Sequence, residues 1–102
     1  MDYRLLGEDQ ISVVGLGAWP IGGGMGIVDE NVAIATIRHA IDAGITLIDT
    51  AQAYRTSEAV VGRALKDGFR QRCFLATKAS FDYSPKVSLR RWKPALRRCR
   101  RT

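Results

Sequence analysis

Residues 45–54 read ITLIDTAQAY, and the first four of them form a short run that is mostly β-branched. Such runs favour strands, so the sequence predicts a strand over 45–48 with Asp49 at its carboxyl end. A strand this short needs neighbours that cover it. The sequence on either side indicates what those neighbours are.

Helical patterns flank this strand on both sides. Upstream, apolar residues recur at helical spacing between an N-cap at Asp29 and a closing glycine at Gly44. Downstream, a second helix is expected to begin at Ser57 and to stop at Gly68. The apolar positions that define these helices are Ala33, Ile34, Ile37, Ala40, Ile41, Val60, Val61, Ala64 and Leu65.

Two further strands and a hairpin complete the pattern. Residues 3–7 and 11–14 flank a polar turn at 8–10, which predicts a short hairpin. One strand follows the hairpin and leads into Gly17-Ala18-Trp19, and another spans Cys73–Thr77. A third helix is expected from Ser84-Pro85, a cap followed by an N1 proline.

The order of these elements is hairpin, β, α, β, α, β, α. Strands and helices that alternate with short links form parallel β-α-β units, so the sequence predicts an α/β fold. Three candidate features then fall at the carboxyl ends of three strands, at Gly17-Ala18-Trp19, at 49–54 and at Lys78. In a β/α barrel, that rim carries the chemistry.

The motifs at these strand ends resemble the aldo-keto reductase family in order and spacing. They read Asp49-Thr50-Ala51-x-x-Tyr54, Ser57-Glu58, Gly62-x-Ala64-Leu65 and Ala76-Thr77-Lys78. The segment Gly15–Trp19 and the helix at Ala33–Gly44 are also similar to that family, and the resemblance covers roughly residues 3–91. It implies one domain over 1–102, a partial (β/α)8 TIM barrel with the N-terminal hairpin and the first three β/α units.

The resemblance implies NADPH-dependent reduction of an aldehyde or ketone to an alcohol, and the reverse, without a metal. Tyr54 is then the general acid at the carbonyl oxygen, and Lys78, held by Asp49, is the cation beside it. A nearby cation favours a phenolate, which makes a phenol a better acid. Asp49, Gly17, Ala18 and Trp19 are expected to contact the cofactor. Trp19 and Tyr54 are expected to line the pocket for a small carbonyl substrate.

This sequence departs from the family pattern at three points. The family's catalytic histidine follows the next strand, whereas the single histidine here, His39, lies in the first predicted helix. Ala18 stands where the family usually has threonine, and Arg55 where glycine is usual. Because a complete barrel needs about 250 residues, we expect these 102 residues to be an N-terminal fragment that is inactive alone.

Charge and composition leave two other classes of function open. Residues 86–102 hold eight of the 16 Lys and Arg residues and no acid, within a divergent basic tail that covers 85–102 and is clearest from Trp92. That tail could bind nucleic acid electrostatically, although basic residues are also common on a barrel's outer helix. Gly15-x-Gly17, with Asp49 as a ribose acid, could instead belong to a Rossmann-like nucleotide-binding module.

The cysteine content and the uncharged segment near the N-terminus bear on where the protein is located. Two cysteines are too few for a disulfide framework, and we expect a reducing, cytoplasmic setting. Residues 11–28 are uncharged, but their six glycines and Pro20 argue against a membrane-spanning helix. The sequence therefore predicts no membrane partner.

Self-association is the first testable expectation. A sheet of three strands leaves edges uncovered, and Cys73–Thr77 is a nearly continuous apolar run, so copies of the chain should pair edge to edge. Size-exclusion chromatography with light scattering should show oligomers over a range of salt concentrations. A sharp monomer peak with a cooperative thermal transition would contradict this expectation.

Overall fold

A computed structural model describes residues 1–78. In chain order the elements are β1 (Tyr3–Leu6), β2 (Asp9–Ser12), β3 (Gly15–Gly17), α1 (Glu30–Asp42), β4 (Leu47–Asp49), α2 (Ser57–Ala64) and β5 (Phe74–Ala76), with 3-10 turns at Pro20–Gly22 and Phe69–Arg72. This is the predicted order. The helix expected from Ser84-Pro85 and the basic tail lie outside the described residues.

The central sheet has β4 between β3 and β5, and both pairings are parallel. Gly17 lies opposite Asp49, which lies opposite Ala76, so the three strands end at the same level. This topology is the predicted α/β arrangement. It also separates the sheet from a Rossmann-like unit, because Gly15-x-Gly17 is itself β3 and the following α-helix begins only at Glu30.

Helix α1 has the boundaries that its sequence predicts. The Asp29 carboxylate accepts a hydrogen bond from the backbone N–H of Val32 at 3.1 Å, which is the N-cap interaction. Gly44 has a φ of +108°, a conformation that glycine adopts readily and that turns the chain towards β4. The face predicted to be apolar is the buried one.

The core lies between the sheet and the two helices. The buried members of this core are Ala18, Ile37, Ile41, Ile48, Val61, Ala64 and Leu65. Burial of these apolar side chains is the main force that holds the helices on the sheet. Ile48 at the centre of β4 has no exposed surface, which is expected for the middle strand of a sheet covered by helices.

Helix α2 is shorter than predicted. It ends at Ala64, and a turn over 65–68 leads into the 3-10 turn, whereas the expected stop was Gly68. Leu65 already leaves the helical angles with φ −87° and ψ 5°, and Asp67 and Gly68 follow with positive φ values, +59° and +87°, so the right-handed helix does not resume. Leu65 is nevertheless fully buried, as its place in the apolar pattern predicts.

The hairpin turn also differs from the prediction. It consists of Gly7 and Glu8, and Asp9 and Gln10, which were expected in the turn, belong to β2. A two-residue turn requires a positive φ at one or both positions, and Gly7 supplies it with φ +62°. The sequence placed the turn on the most polar residues, whereas the backbone conformation of glycine decides its position.

The hairpin is fixed to the amino end of the sheet, opposite the predicted rim. The backbone N–H of Ser12 donates to the Thr46 hydroxyl at 2.8 Å, and the N–H of Thr46 donates to the Ser12 hydroxyl at 2.9 Å. The Tyr3 hydroxyl donates to the carbonyl of Gly44 at 2.9 Å. Among residues 1–78, no helix has the length and apolar character needed to cross a membrane.

The reciprocal bonds between Ser12 and Thr46 make a stability prediction. Ser12 is buried, so Ser12→Ala leaves the N–H of Thr46 without its acceptor and should lower the free energy of unfolding by about 1–3 kcal/mol. Urea denaturation followed by circular dichroism measures the change. The control is Thr36→Ala, which removes an exposed hydroxyl bonded only within its own helix and should change stability far less. Equal effects of the two substitutions would contradict the prediction.

Candidate active site at the carboxyl end of the sheet

The carboxyl end of the sheet is held together beyond the strands by backbone hydrogen bonds. The N–H of Ala18 donates to the carbonyl of Asp49 at 2.8 Å, and the N–H of Thr50 donates to the carbonyl of Ala76 at 2.9 Å. The N–H of Gln52 donates to the carbonyl of Lys78 at 3.3 Å. The segments that follow the three strands therefore stay side by side at one rim.

Asp49 and Lys78 form an ion pair at this rim. The Lys78 Nζ donates to Oδ1 of Asp49 at 2.5 Å and to the carbonyl of Thr50 at 3.2 Å. The two side chains are about half exposed, 51% for Lys78 and 44% for Asp49. A pair in contact with solvent is a weak source of stability. It does fix where the positive charge stands.

Tyr54 lies beside this ammonium. The Lys78 Nζ is 5.3 Å from the centre of the Tyr54 ring, within the range of a cation–π contact. Tyr54 is held by a turn in which its N–H donates to the carbonyl of Ala51 at 3.1 Å and its carbonyl accepts from the N–H of Ser57 at 2.9 Å. The structure thus brings together the three side chains of the predicted catalytic set.

The electrostatics of Lys78 follow from these neighbours. Partial burial acts to lower its pKa, but the hydrogen bond and charge of Asp49, with a contribution from Tyr54, raise the pKa of Lys78 above the ordinary lysine value. The contribution of the pair to stability is therefore fully present below the lysine pKa of the unfolded chain. It is lost as the pH rises through the higher pKa of the folded state.

Trp19 stands at the same rim with 49% of its surface exposed. A β-carbon added at Gly24 would lie 2.4 Å from Nε1 of Trp19, so the indole packs directly on the backbone of that glycine. Gly17 has no atom within 4 Å of the position that a β-carbon would occupy. Gly17, the register partner of Asp49, thus leaves open space at the rim, and an exposed aromatic ring follows two residues later.

Ala18 has a different position from the one expected. It is fully buried, its N–H is bonded to Asp49, and its carbonyl accepts from the Ser57 hydroxyl at 2.8 Å. It has no surface in the described structure that a ligand could touch. We therefore assign Ala18 to the support of the rim and keep Gly17, Trp19 and Asp49 as exposed candidates.

Three residues that the sequence analysis left without a role are part of the support. Gly22 packs so closely on the turn that an added β-carbon would lie 1.8 Å from the carbonyl oxygen of Tyr54. Ser57 and Glu58 are polar yet almost fully buried beneath the rim. Ser57-Glu58 was recognisable as a motif, but nothing local in the sequence shows that these two side chains turn inward.

Arg55, one of the departures from the family pattern, has a backbone conformation that is typical of glycine. Its φ is +54°, in the left-handed region that glycine occupies without strain. The exposed side chain reaches the loop after Trp19, since its Nη1 is 4.0 Å from the position of a β-carbon on Gly23. Arginine thus adopts here a backbone conformation that suits the glycine usual at this position in the family.

Within 1–78 there is no cluster of three or more His, Cys, Asp or Glu side chains that could hold a metal ion. His39 is exposed on α1, away from the rim, as its place in the predicted helix requires.

Comparison with known proteins identifies the family of the chain. Residues 13–102 match the model of the aldo/keto reductase family. The chain is 49% identical over 89 residues to the aldo-keto reductase YhdN of Bacillus subtilis, covering 81% of this chain and 27% of the relative. It is 43% identical over 84 residues to the NADH-specific methylglyoxal reductase of Escherichia coli, covering 78% of this chain and 26% of the relative.

Solved structures share the fold. An aldo-keto reductase from Pseudomonas aeruginosa aligns with a TM-score of 0.84 and 34% identity over 95% of this chain and 41% of that one. An aldo/keto reductase from Klebsiella pneumoniae in complex with NADP and acetate aligns with a TM-score of 0.77 and 33% identity, over 90% and 32% of the two chains.

The chain belongs to the aldo/keto reductase family. It spans about a quarter of the length of the two curated relatives, 27% and 26%. The TIM-barrel assignment made from the sequence is confirmed at the level of these neighbours, with the described residues forming the hairpin and the first three strands of such a sheet.

The left-handed conformation of Arg55 makes the second stability prediction. Arg55→Gly should raise the free energy of unfolding by about 1 kcal/mol, because glycine removes the steric cost of a positive φ. The matched control is Ala35→Gly on the exposed side of α1, where glycine should lower stability by a similar amount. Denaturant titration of both variants measures the difference in sign, and a loss of stability in Arg55→Gly would contradict the assigned conformation.

Proposed function

We propose that this site belongs to an enzyme that reduces a small aldehyde or ketone to an alcohol with NADPH, and that it also catalyses the reverse reaction. The observation that carries the proposal is the contact of Lys78 with both Asp49 and Tyr54 at the carboxyl end of the sheet. A phenol, an ammonium and a carboxylate in this order form a proton-donating group with a fixed positive charge behind it.

Tyr54 is the proton donor in this proposal. Its hydroxyl gives a proton to the substrate oxygen as negative charge develops there, and takes the proton back in the reverse direction. The turn that holds Tyr54 is backed by Gly22, so the backbone from which the ring projects is fixed at the rim. A donor held in place avoids the entropic cost of finding its position at each turnover.

Lys78 and Asp49 prepare that donor. The Lys78 ammonium stabilises the negative charge that Tyr54 acquires when it gives up its proton. Asp49 keeps the ammonium at this place through the 2.5 Å hydrogen bond and favours its charged form. Both groups act without a change in their own covalent bonds.

The residues at the rim fit a nicotinamide cofactor. Gly17 leaves open space at the end of β3, the Trp19 ring that follows is half exposed, and the Asp49 carboxylate can accept a hydrogen bond from a ribose hydroxyl. When bound, the reduced nicotinamide supplies the hydride. Trp19 and Tyr54 would then border the space for the substrate carbonyl.

The form of the cofactor is a separate part of the proposal. The Klebsiella structure contains NADP, which supports NADPH, whereas the Escherichia coli relative is an NADH-specific enzyme. Both reduced cofactors therefore belong in any assay.

A cytoplasmic location is also part of the proposal, and both NADPH and NADH are available there.

A chimera tests the proposed chemistry. Residues 1–78 replace the matching segment of a full-length relative, and reduction of a reactive aromatic aldehyde is followed by the absorbance of NADPH or NADH. We expect activity in the chimera and none in the 102-residue chain alone. Tyr54→Phe should lower kcat about 10²–10⁴-fold, the range for loss of a general acid.

Tyr3→Phe is the matched control for the Tyr54 substitution. It removes the same hydroxyl group from the hairpin at the opposite end of the sheet, where the group bonds to Gly44, and it should leave kcat unchanged. An active chimera that tolerates Tyr54→Phe would refute the assignment of the acid. Turnover by the isolated chain that depends on Tyr54 would refute the expectation that it is inactive alone.

A further inference from the structure

Two polar residues at the start of α2 are buried. Ser57 has no exposed surface and Glu58 is 1% exposed. A glutamate side chain is almost never fully buried unless it is paired, because removing its carboxyl group from water is costly. Their burial therefore requires polar contacts inside the protein, and the structure shows where these contacts lead.

Ser57 joins the ends of two strands. Its hydroxyl donates to the carbonyl of Ala18, just after β3, at 2.8 Å. The same hydroxyl is 2.7 Å from the hydroxyl of Thr50, just after β4, and Thr50 is also fully buried. The first residue of α2 thus connects the first two strands of the sheet beneath the rim.

Glu58 connects the third strand. Its Oε2 accepts a hydrogen bond from the Thr77 hydroxyl at 2.8 Å. Thr77 follows β5 directly and precedes Lys78. The first two residues of α2 therefore contact the segments that follow the three strands of the sheet. Glu58 contacts Thr77, the residue next to Lys78, whose ammonium belongs to the proposed active site.

The link to Thr77 matters because of the nature of the lysine side chain. A lysine has a flexible four-carbon stem, so the position of its ammonium depends on where the backbone starts it and on what binds its end. Asp49 binds the end. At the backbone, Gln52 holds the carbonyl of Lys78 on one side, and the Thr77 hydroxyl is bonded on the other.

We infer that Glu58 is a positioning residue for Lys78 and acts through the hydroxyl of Thr77. It does not touch the substrate or the cofactor. Its contact fixes the backbone at the end of β5 so that the ammonium reaches Asp49 and Tyr54 together. The catalytic meaning of this inference rests on the proposed function, but the physical link does not.

The test measures the Lys78 ammonium directly. The chain is labelled with ¹⁵N-lysine, the Lys78 signal is assigned by its loss in Lys78→Arg, and its pKa is obtained by NMR titration. In the described chain, the charged or titratable groups that interact with Lys78 are Asp49 and Tyr54, and neither is changed. Lys66, exposed in the turn after α2, is the internal reference.

A matched pair of substitutions removes or keeps the hydroxyl. Thr77→Val has nearly the same shape without the hydroxyl, and the pKa of Lys78 should fall towards the ordinary lysine value as the contact with Asp49 loosens. Thr77→Ser keeps the hydroxyl and should keep the raised pKa. Circular dichroism should be unchanged in both variants, and so should the NMR signal of Lys66.

Two outcomes of this comparison would overturn the inference. One is a pKa of Lys78 in Thr77→Val that equals that of the unsubstituted protein, and the other is an equal fall in Thr77→Ser. A second pair of substitutions tests the same hydrogen bond at Glu58. Glu58→Met removes the acceptor, and Glu58→Gln keeps one. Loss of folded structure in both Thr77→Val and Glu58→Met would also overturn it, because the contact would then support the fold as a whole.

The inference and the proposed function can fail separately. The NMR titration contains no cofactor and no substrate, so a shift in Thr77→Val establishes the link even in a protein that reduces no carbonyl compound. Conversely, an active chimera in which Thr77→Val leaves both the Lys78 pKa and the pH profile of kcat unchanged would support the function and refute the positioning role of Glu58.

Discussion

The parallel alignment of β4 between β3 and β5 is the constraint on which the whole site depends. Because both pairings are in step, the strands end at one level, and Asp49 comes within reach of Lys78 from the neighbouring strand. Ile48 turns into the core from the opposite face of the same strand. A shift of one residue in β4 would exchange these faces, burying a carboxylate and exposing an isoleucine. The hydrophobic core therefore also fixes the geometry of the ion pair.

Most of the fold could be predicted from periodicity, and the errors have a common cause. The cap at Asp29 and the glycine at Gly44 defined α1 because they are local signals with a known backbone geometry. The end of α2 and the hairpin turn were misplaced, because both depend on backbone angles, at Leu65 and at Gly7, that are not evident from polarity. Composition indicates where a turn is possible, but the backbone angle decides which residue makes it.

The residues of the site also fall into those that could be predicted from the sequence and those that could not. Asp49, Tyr54 and Lys78 could be proposed as candidates because each has a fixed place in a family motif after a strand, and the structure places them close together. Their support could not be found, because it consists of contacts between distant parts of the chain. The bond from Ser57 to the carbonyl of Ala18 spans 39 residues, and the close packing of Gly22 on Tyr54 has no local signature. The candidate catalytic side chains were visible in the sequence, whereas the groups that hold them in place became visible only in three dimensions.

The hairpin at the amino end of the sheet offers a practical handle on the molecule. Its turn at Gly7 and Glu8 is exposed and lies on the side opposite the rim. The reciprocal hydrogen bonds of Ser12 and Thr46 lie between the turn and the rim. A fluorophore or surface tether attached at Glu8 would leave the rim facing solution. Immobilised in this orientation, the chain could be probed by ligands in flow without blocking the face that they must reach.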